Sequence, residues 1–132
     1  MIRLTRLLAA VLLVAGGIVH FNLWSDGYRH IPNIGPLFIA NLVGSIALSA
    51  VLVTSRRAAV AVAGIVFAVG SLVALVLSRT VGVFGFTERI WTTEAVQALA
   101  SEIGAIVVLG IALMVQLRTG RRNYGVRWRV GR

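Results

Sequence analysis

The sequence predicts an all-α fold, a four-transmembrane-helix bundle with both termini cytoplasmic. Three observations predict it. Of 132 residues, 58% are hydrophobic and only 13% charged, which leaves too few polar side chains to cover a soluble surface. Four apolar segments of about 20 residues, the length that crosses a bilayer, alternate with short polar connections. The basic residues fall mostly on one side of the fold those segments define. The spans, at 5–23, 35–54, 58–78 and 94–117, fill one integral membrane domain ending in a basic tail at 118–132, with no room for a soluble catalytic domain.

The first span follows a short basic lead, Met1 to Arg6. Ala15 and Gly17 imitate a signal-peptidase site, so cleavage within residues 1–17 is an alternative. The apolar character continues through Ile18, Val19, Phe21 and Leu23, which favours a retained helix. Trp24 and Tyr28 then suit a membrane–water interface, and Gly27 and Pro32 mark a turn. Gly35-Pro36 can open the second helix, because proline's missing donor is unused in a first turn. Ser55-Arg56-Arg57 is so short that helices two and three must form an antiparallel hairpin. Small residues on both (Asn41, Gly44, Ser45 and Ser49; Gly64, Ala68 and Ser71) are expected to face each other and bring the backbones close. The loop at 79–93 is too short to span. The glycines flanking Phe84 predict irregular backbone around 80–86, either interfacial or re-entrant. Thr92 or Thr93 caps the fourth helix, with Glu94 near its N-terminal dipole.

All thirteen basic residues are arginine. Arg3, Arg6, Arg56, Arg57 and the tail arginines share one side without an acid, whereas Arg29, Arg79 and Arg89 share the other with Asp26, Glu88 and Glu94. The positive-inside rule makes the arginine-rich side cytoplasmic, in a multi-pass protein of the cell membrane. Arg118, Arg121, Arg122, Arg127 and Arg129 are candidate contacts for anionic lipid headgroups. Arginines interleaved with Tyr124 and Trp128 also raise nucleic acid as a partner, the weaker reading beside a topogenic anchor. The chain has no cysteine, which removes disulfide, thiol and iron–sulfur chemistry. With only His20 and His30 as imidazoles, no metal site and no cofactor are expected.

The polar residues inside the spans carry the functional question. Glu102 lies about 12 Å below the start of helix four, and Asn41 about 9 Å below the start of helix two. Ser71 lies at a similar level and His20 somewhat nearer the outer face. Apart from Gln116, the inner half has no notable polar side chain and no charge. Glu94, Gln97 and Ser101 share a stripe with Glu102 about 80° to its side, which suggests an outward-opening polar sector. An intramembrane carboxylate is expensive unless protonated or paired, so it marks function by default. The candidate ligand or ion site is therefore His20, Asn41, Ser71, Gln97 and Glu102, with Trp24, Tyr28 and Phe84 at its rim. Three readings stay open: a Glu–His pair handling protons or a cation, a cup for a small polar or amphipathic ligand, and interhelical hydrogen bonds that only fix the packing.

The runs His20-Phe21-Asn22-Leu23-Trp24, Gly27-Tyr28, Ile31-Pro32, Ile34-Gly35, Leu37-Phe38 and Val83-Phe84-Gly85-Phe86, with a glutamate in the last helix, resemble small uncharacterised four-helix membrane proteins of bacteria. In size and helix count the chain is more distantly similar to the DoxX-like group. The resemblance implies that the outer loop and Glu102 occur together, and it implies no catalytic residue. The favoured function is a non-enzymatic accessory or interaction subunit, with the bilayer and a membrane-protein partner or a second copy of the chain as partners. The alternative is a binding or transport component for a small molecule, proton or cation, using Glu102 and His20. An enzyme ranks third.

Overall fold

A computed structural model describes residues 2–127, and these form four long helices with no strand among them. They are α1 Ile2–Ser25, α2 Ile34–Thr54, α3 Ala58–Thr80 and α4 Thr93–Arg127, with a one-turn 3₁₀ helix at Tyr28–His30. Each long helix contains a stretch long and apolar enough to cross a membrane. The chain is thus an all-helical multi-pass membrane protein. α4 continues well past Leu117 into the basic tail, and Arg129 lies outside the described residues. Arg118 is exposed, while Arg121, Arg122 and Arg127 are described only as helical backbone.

α1 is the central packing element. It lies along both α2 and α4, α4 lies also along α3, and α2 and α3 touch only sparingly. Small residues allow the close approaches. A Cβ on Gly17 would come within 2.9 Å of Ser45 Cβ on α2, and one on Gly16 within 3.0 Å of Ser101 Oγ on α4. Between α3 and α4, a Cβ on Gly64 would meet Leu109 Cδ1 at 2.8 Å. Ser49 Oγ donates across α1–α2 to the Ala10 carbonyl at 3.0 Å. Ala9, Leu13, Leu52, Ala61, Ala68, Ala105 and Leu109 form the core.

This arrangement corrects two sequence expectations. Only part of the small-residue set joins α2 to α3: Asn41 donates to Ser71 at 2.9 Å and Gly44 lies under the Phe67 ring, while Ser45 and Ser49 serve α1 and Gly64 serves α4. A short connection dictates antiparallel sense but not contact along the whole length, and the bulk of Phe67 holds the pair apart. The second correction concerns the inner half, expected to hold no charge: Arg6 is 3% exposed within α1. Its guanidinium donates to the carbonyls of Ser55 and of Arg57 (3.0 Å) and to Gln116 Oε1 (3.0 Å). Gln116 Nε2 in turn donates to the Arg56 carbonyl. The end of the bundle near the termini therefore holds a buried cation whose two terminal nitrogens donate to carbonyls just past the end of α2, on the negative side of that helix's dipole, while its Nε has no partner.

At the opposite end, which carries the Tyr28 and Phe84 connections, the chain folds back over the helices. Val83 and Phe86 exchange both backbone hydrogen bonds at 2.8 Å. Phe84 (φ 49°) and Gly85 (φ 78°) form the two-residue turn between them, and positive φ at both central positions is the type I′ signature. Arg79 ties this segment down, donating to the Glu88 and Ile90 carbonyls at 2.7 Å and lying 5.6 Å over the Trp91 ring. Ala95 N donates to Thr92 Oγ1 at 3.3 Å, so Thr92 caps α4.

Candidate functional site

Each of the four helices supplies one part of a connected polar chain. Ser45 Oγ donates to Asn41 Oδ1 at 3.3 Å, Asn41 Nδ2 donates to Ser71 Oγ at 2.9 Å, and Ser71 Oγ donates to Glu102 Oε1. The donors all point the same way and end on the carboxylate, so their dipoles add in stabilising negative charge there. His20 completes the set from α1. Its Nδ1 bonds the Gly16 carbonyl at 2.8 Å, which makes Nδ1 the protonated nitrogen, since a carbonyl only accepts. Nε2 is left facing Glu102 Oε1 at 4.0 Å. A neutral imidazole offers a lone pair at Nε2, so this pair needs a proton, a water or a cation to bring them together.

Glu102 is 5% exposed, and its Oε2 has no hydrogen-bond partner. Its position on α4 follows from a simple pattern. Ala95, Ala98, Glu102, Ala105, Leu109 and Ala112 are all buried and recur at alternating spacings of three and four, which puts them on one helix face. Glu102 thus occupies a place otherwise given mostly to alanine. Gln97 is one residue off this face and exposed, separate from the cluster. Helical periodicity suggested a stripe through Glu94, Gln97 and Ser101, of which Ser101 is buried and Gln97 exposed; the alternating alanines were the better signal.

Between α2 and α3, toward the end that carries the Phe84 hairpin, lies a cavity of about 410 Å³. His20, Asn41 and Ser71 form its polar wall, and Tyr28, Phe38 and Phe86 its aromatic cover. The aromatics interlock: His20 meets Phe38 edge-on at 5.2 Å, Phe38 stacks on Tyr28 at 5.4 Å, and Tyr28 meets Phe86 at 5.7 Å. The mouth is sideways. Leu37 and Ala40 on α2, with Val66 (65% exposed), Gly70 and Ala74 on α3, line the cavity and are also open on the outer surface of the bundle.

Of the three aromatic rim candidates, Tyr28 lines the cavity and the other two do not. Trp24 stacks on Phe21 at 5.8 Å. Phe84 sits at the tip of its turn, 70% exposed, and the alternation of a hairpin turns Phe86 inward instead. Tyr28 Oη donates to Glu88 Oε2 at 3.4 Å. Burial first, and the Glu88 charge second, push its phenol above the ordinary range and keep it a donor. Sequence reasoning also missed Phe38 and Arg79 as neighbours of the site. Among the described residues no group of three histidine, cysteine, aspartate or glutamate side chains could hold a metal.

Fold and site together define the class: a polytopic helical membrane protein with a carboxylate-terminated polar chain behind a sideways-opening cavity. No family model, curated protein or solved structure matches the chain.

Proposed function

We propose that the protein is a membrane-embedded binding component for a small amphipathic molecule, which enters from the bilayer between α2 and α3. The observation that supports this best is the cavity of about 410 Å³, apolar over most of its wall and polar where Asn41, Ser71 and His20 meet. Its volume falls in the usual range of small-molecule sites, and a few convergent polar groups in an apolar space are their usual composition. A hydroxyl-bearing ligand fits the free valences. It can donate to His20 Nε2 and accept the second Asn41 amide proton, while Glu102 polarises Ser71 from behind. The interaction-subunit reading has no observation of its own, because exposed apolar faces on all four helices are what lipid contact requires.

Gly70 offers the test. It lines the cavity, and a Cβ there would meet nothing within 4 Å. Gly70→Leu should fill the cavity without a clash, and the loss of a helix-interior glycine should hold or raise stability by up to ~1 kcal/mol. The expected result is saturable quenching of tryptophan fluorescence by a terminally brominated decanol in the wild type, above the quenching by the brominated alkane. Gly70→Leu should weaken it about tenfold or more, with no fall in melting temperature. Equal quenching in both proteins would rule this cavity out as the site.

In this proposal the cavity faces the non-cytoplasmic side of the cell membrane and both termini are cytoplasmic. The arginine distribution supports this: the acid-free arginine-rich side carries Arg3, Arg56, Arg57 and the tail. The chain has no cysteine, so single cysteines report cleanly. Asp26→Cys should react with a membrane-impermeant maleimide in intact cells, and Arg57→Cys only after permeabilisation. The reverse pattern would invert the topology.

A further inference from the structure

Across the apolar stretches 7–25, 34–54, 58–78 and 95–117 the only titratable side chains are His20 and Glu102. They face each other, with His20 Nε2 4.0 Å from Glu102 Oε1. What α2 and α3 add to this cluster is neutral: Asn41 and Ser45 from the first, Ser71 from the second. The charges of the helices lie farther out. Glu94 precedes Glu102 on α4 and Arg79 follows Ser71 on α3, each by about 12 Å along its helix. Arg79 is matched by Glu88 at 3.9 Å, and Tyr28 donates to the same Glu88. Charge counting then fixes what the pair holds. With one proton it is neutral, whether as carboxyl and imidazole or as carboxylate and imidazolium. With none it is a bare anion inside the membrane and with two a bare cation, and both are costly there. Access to this one-proton site is from one side. His20 lines the ligand cavity and Glu102 does not, so a proton reaches the carboxylate through Nε2. Toward the termini lie Leu13, Leu52, Ala105 and Leu109 of the core, and the Ser49 hydroxyl there is committed to the Ala10 carbonyl. The proton therefore leaves by the way it entered.

This count distinguishes among amphiphiles. A neutral head enters the cavity with the proton in place. A cationic head beside the loaded pair leaves one positive charge too many, so it binds by replacing the proton. An anionic head would call for a second proton. The cavity is suited to the cation. Its wall is mostly apolar, and Tyr28, Phe38 and Phe86 cover it with aromatic rings, whose faces attract alkylammonium groups. The Phe38 ring meets His20 at 5.2 Å, which sets the aromatic surface directly beside the pair. We propose that the cavity exchanges one proton for one lipophilic cation, an alkylammonium amphiphile whose charge takes the place of the proton shared by His20 and Glu102. The proton passes through His20 to water at the Tyr28 end of the bundle, and the site is neutral before and after. This rests on the amphiphile-binding reading and names the class of ligand whose binding is coupled to a proton.

The probe is a decyltrimethylammonium ion brominated at the chain end. It is permanently charged, so any proton released comes from the protein. Its quenching of tryptophan fluorescence is followed between about pH 5 and 8 on the full chain in neutral detergent, beside the brominated decanol. Raising the pH removes the competing proton, so the affinity for the cation should rise, by up to about tenfold per pH unit where the pair gives up its proton. The affinity for decanol should stay level. In weakly buffered solution, saturating cation should release up to one proton per ion bound. Glu102→Gln should bind the cation about tenfold more weakly or worse, without pH dependence, and keep decanol. Its melting is measured first, and if it does not fold, the proton release of the wild type decides. Cation binding that is independent of pH and releases no proton, or equal cation binding by folded Glu102→Gln, would overturn the exchange. Decanol bound without the cation would also overturn the exchange and leave the cavity as a site. Neither probe bound would remove the cavity as well.

Discussion

Gly17→Leu is expected to separate α1 from α2 and to destabilise the bundle by about 1–3 kcal/mol, the usual penalty of overpacking a tight contact. The contact leaves no room to yield. A Cβ on Gly17 would lie 2.9 Å from Ser45 Cβ and 3.3 Å from Leu42 Cα, and the second of these is backbone. Accommodation therefore requires α2 to move as a body, which stretches the Ser49-to-Ala10 hydrogen bond of 3.0 Å. In lipid no gain from burying apolar surface offsets the loss, because tails and side chains are equally apolar and helices associate through close fit. Gly110 is the control, since a Cβ there meets nothing within 4 Å. Unfolding in a denaturing-detergent titration should show Gly17→Leu well below wild type and Gly110→Leu close to it. Equal stability of the two variants would refute the packing assignment.

Arg6→Ala should act at the other end of the molecule and cost roughly 2–4 kcal/mol, since hydrogen bonds to a charged donor are worth about 1.5–3 kcal/mol and the partners left behind lose their donor. The Ser55 and Arg57 carbonyls and Gln116 Oε1 all depend on this one guanidinium. Because α2 and α3 touch little elsewhere, the clamp is also what holds their junction against α1 and α4. Arg6→Lys should recover only part of the loss, because a compact ammonium cannot reproduce the planar fork that reaches three acceptors on two elements. A double-mutant cycle of Arg6→Ala with Gln116→Ala should give a coupling of at least about 0.5 kcal/mol. Additive losses would show that the two side chains act separately.

Part of the candidate site was legible from residues alone. Rise per residue placed Glu102, Asn41 and Ser71 at one depth, and the structure joins these three by hydrogen bonds with His20 beside them. Depth follows from counting, so it survives any choice of neighbours. Direction around each helix does not. Gln97 is polar and on the same helix as Glu102 but lies off the buried alanine face, and Phe84 and Trp24 carry interfacial chemistry without lining the cavity. The burial of Arg6 was missed for a related reason: a basic residue near a terminus counts toward topology, and the carbonyls that cover it come from another part of the chain.

The sequence by itself determined that four helices cross a membrane, roughly where each begins and ends, and that a carboxylate in the last of them must be covered. Length, hydropathy and turn chemistry are local properties, and a bilayer reads them one segment at a time. Only the tertiary structure decided that α1 is the central packing element, that α2 and α3 stand apart, and that the gap between them becomes a cavity with His20, Asn41 and Ser71 in its wall. Every apolar face satisfies lipid equally, so hydropathy does not name a helix's neighbour. Steric fit does, through pairs such as Gly17 with Ser45 and Phe67 with Gly44, whose partners lie far apart in the chain.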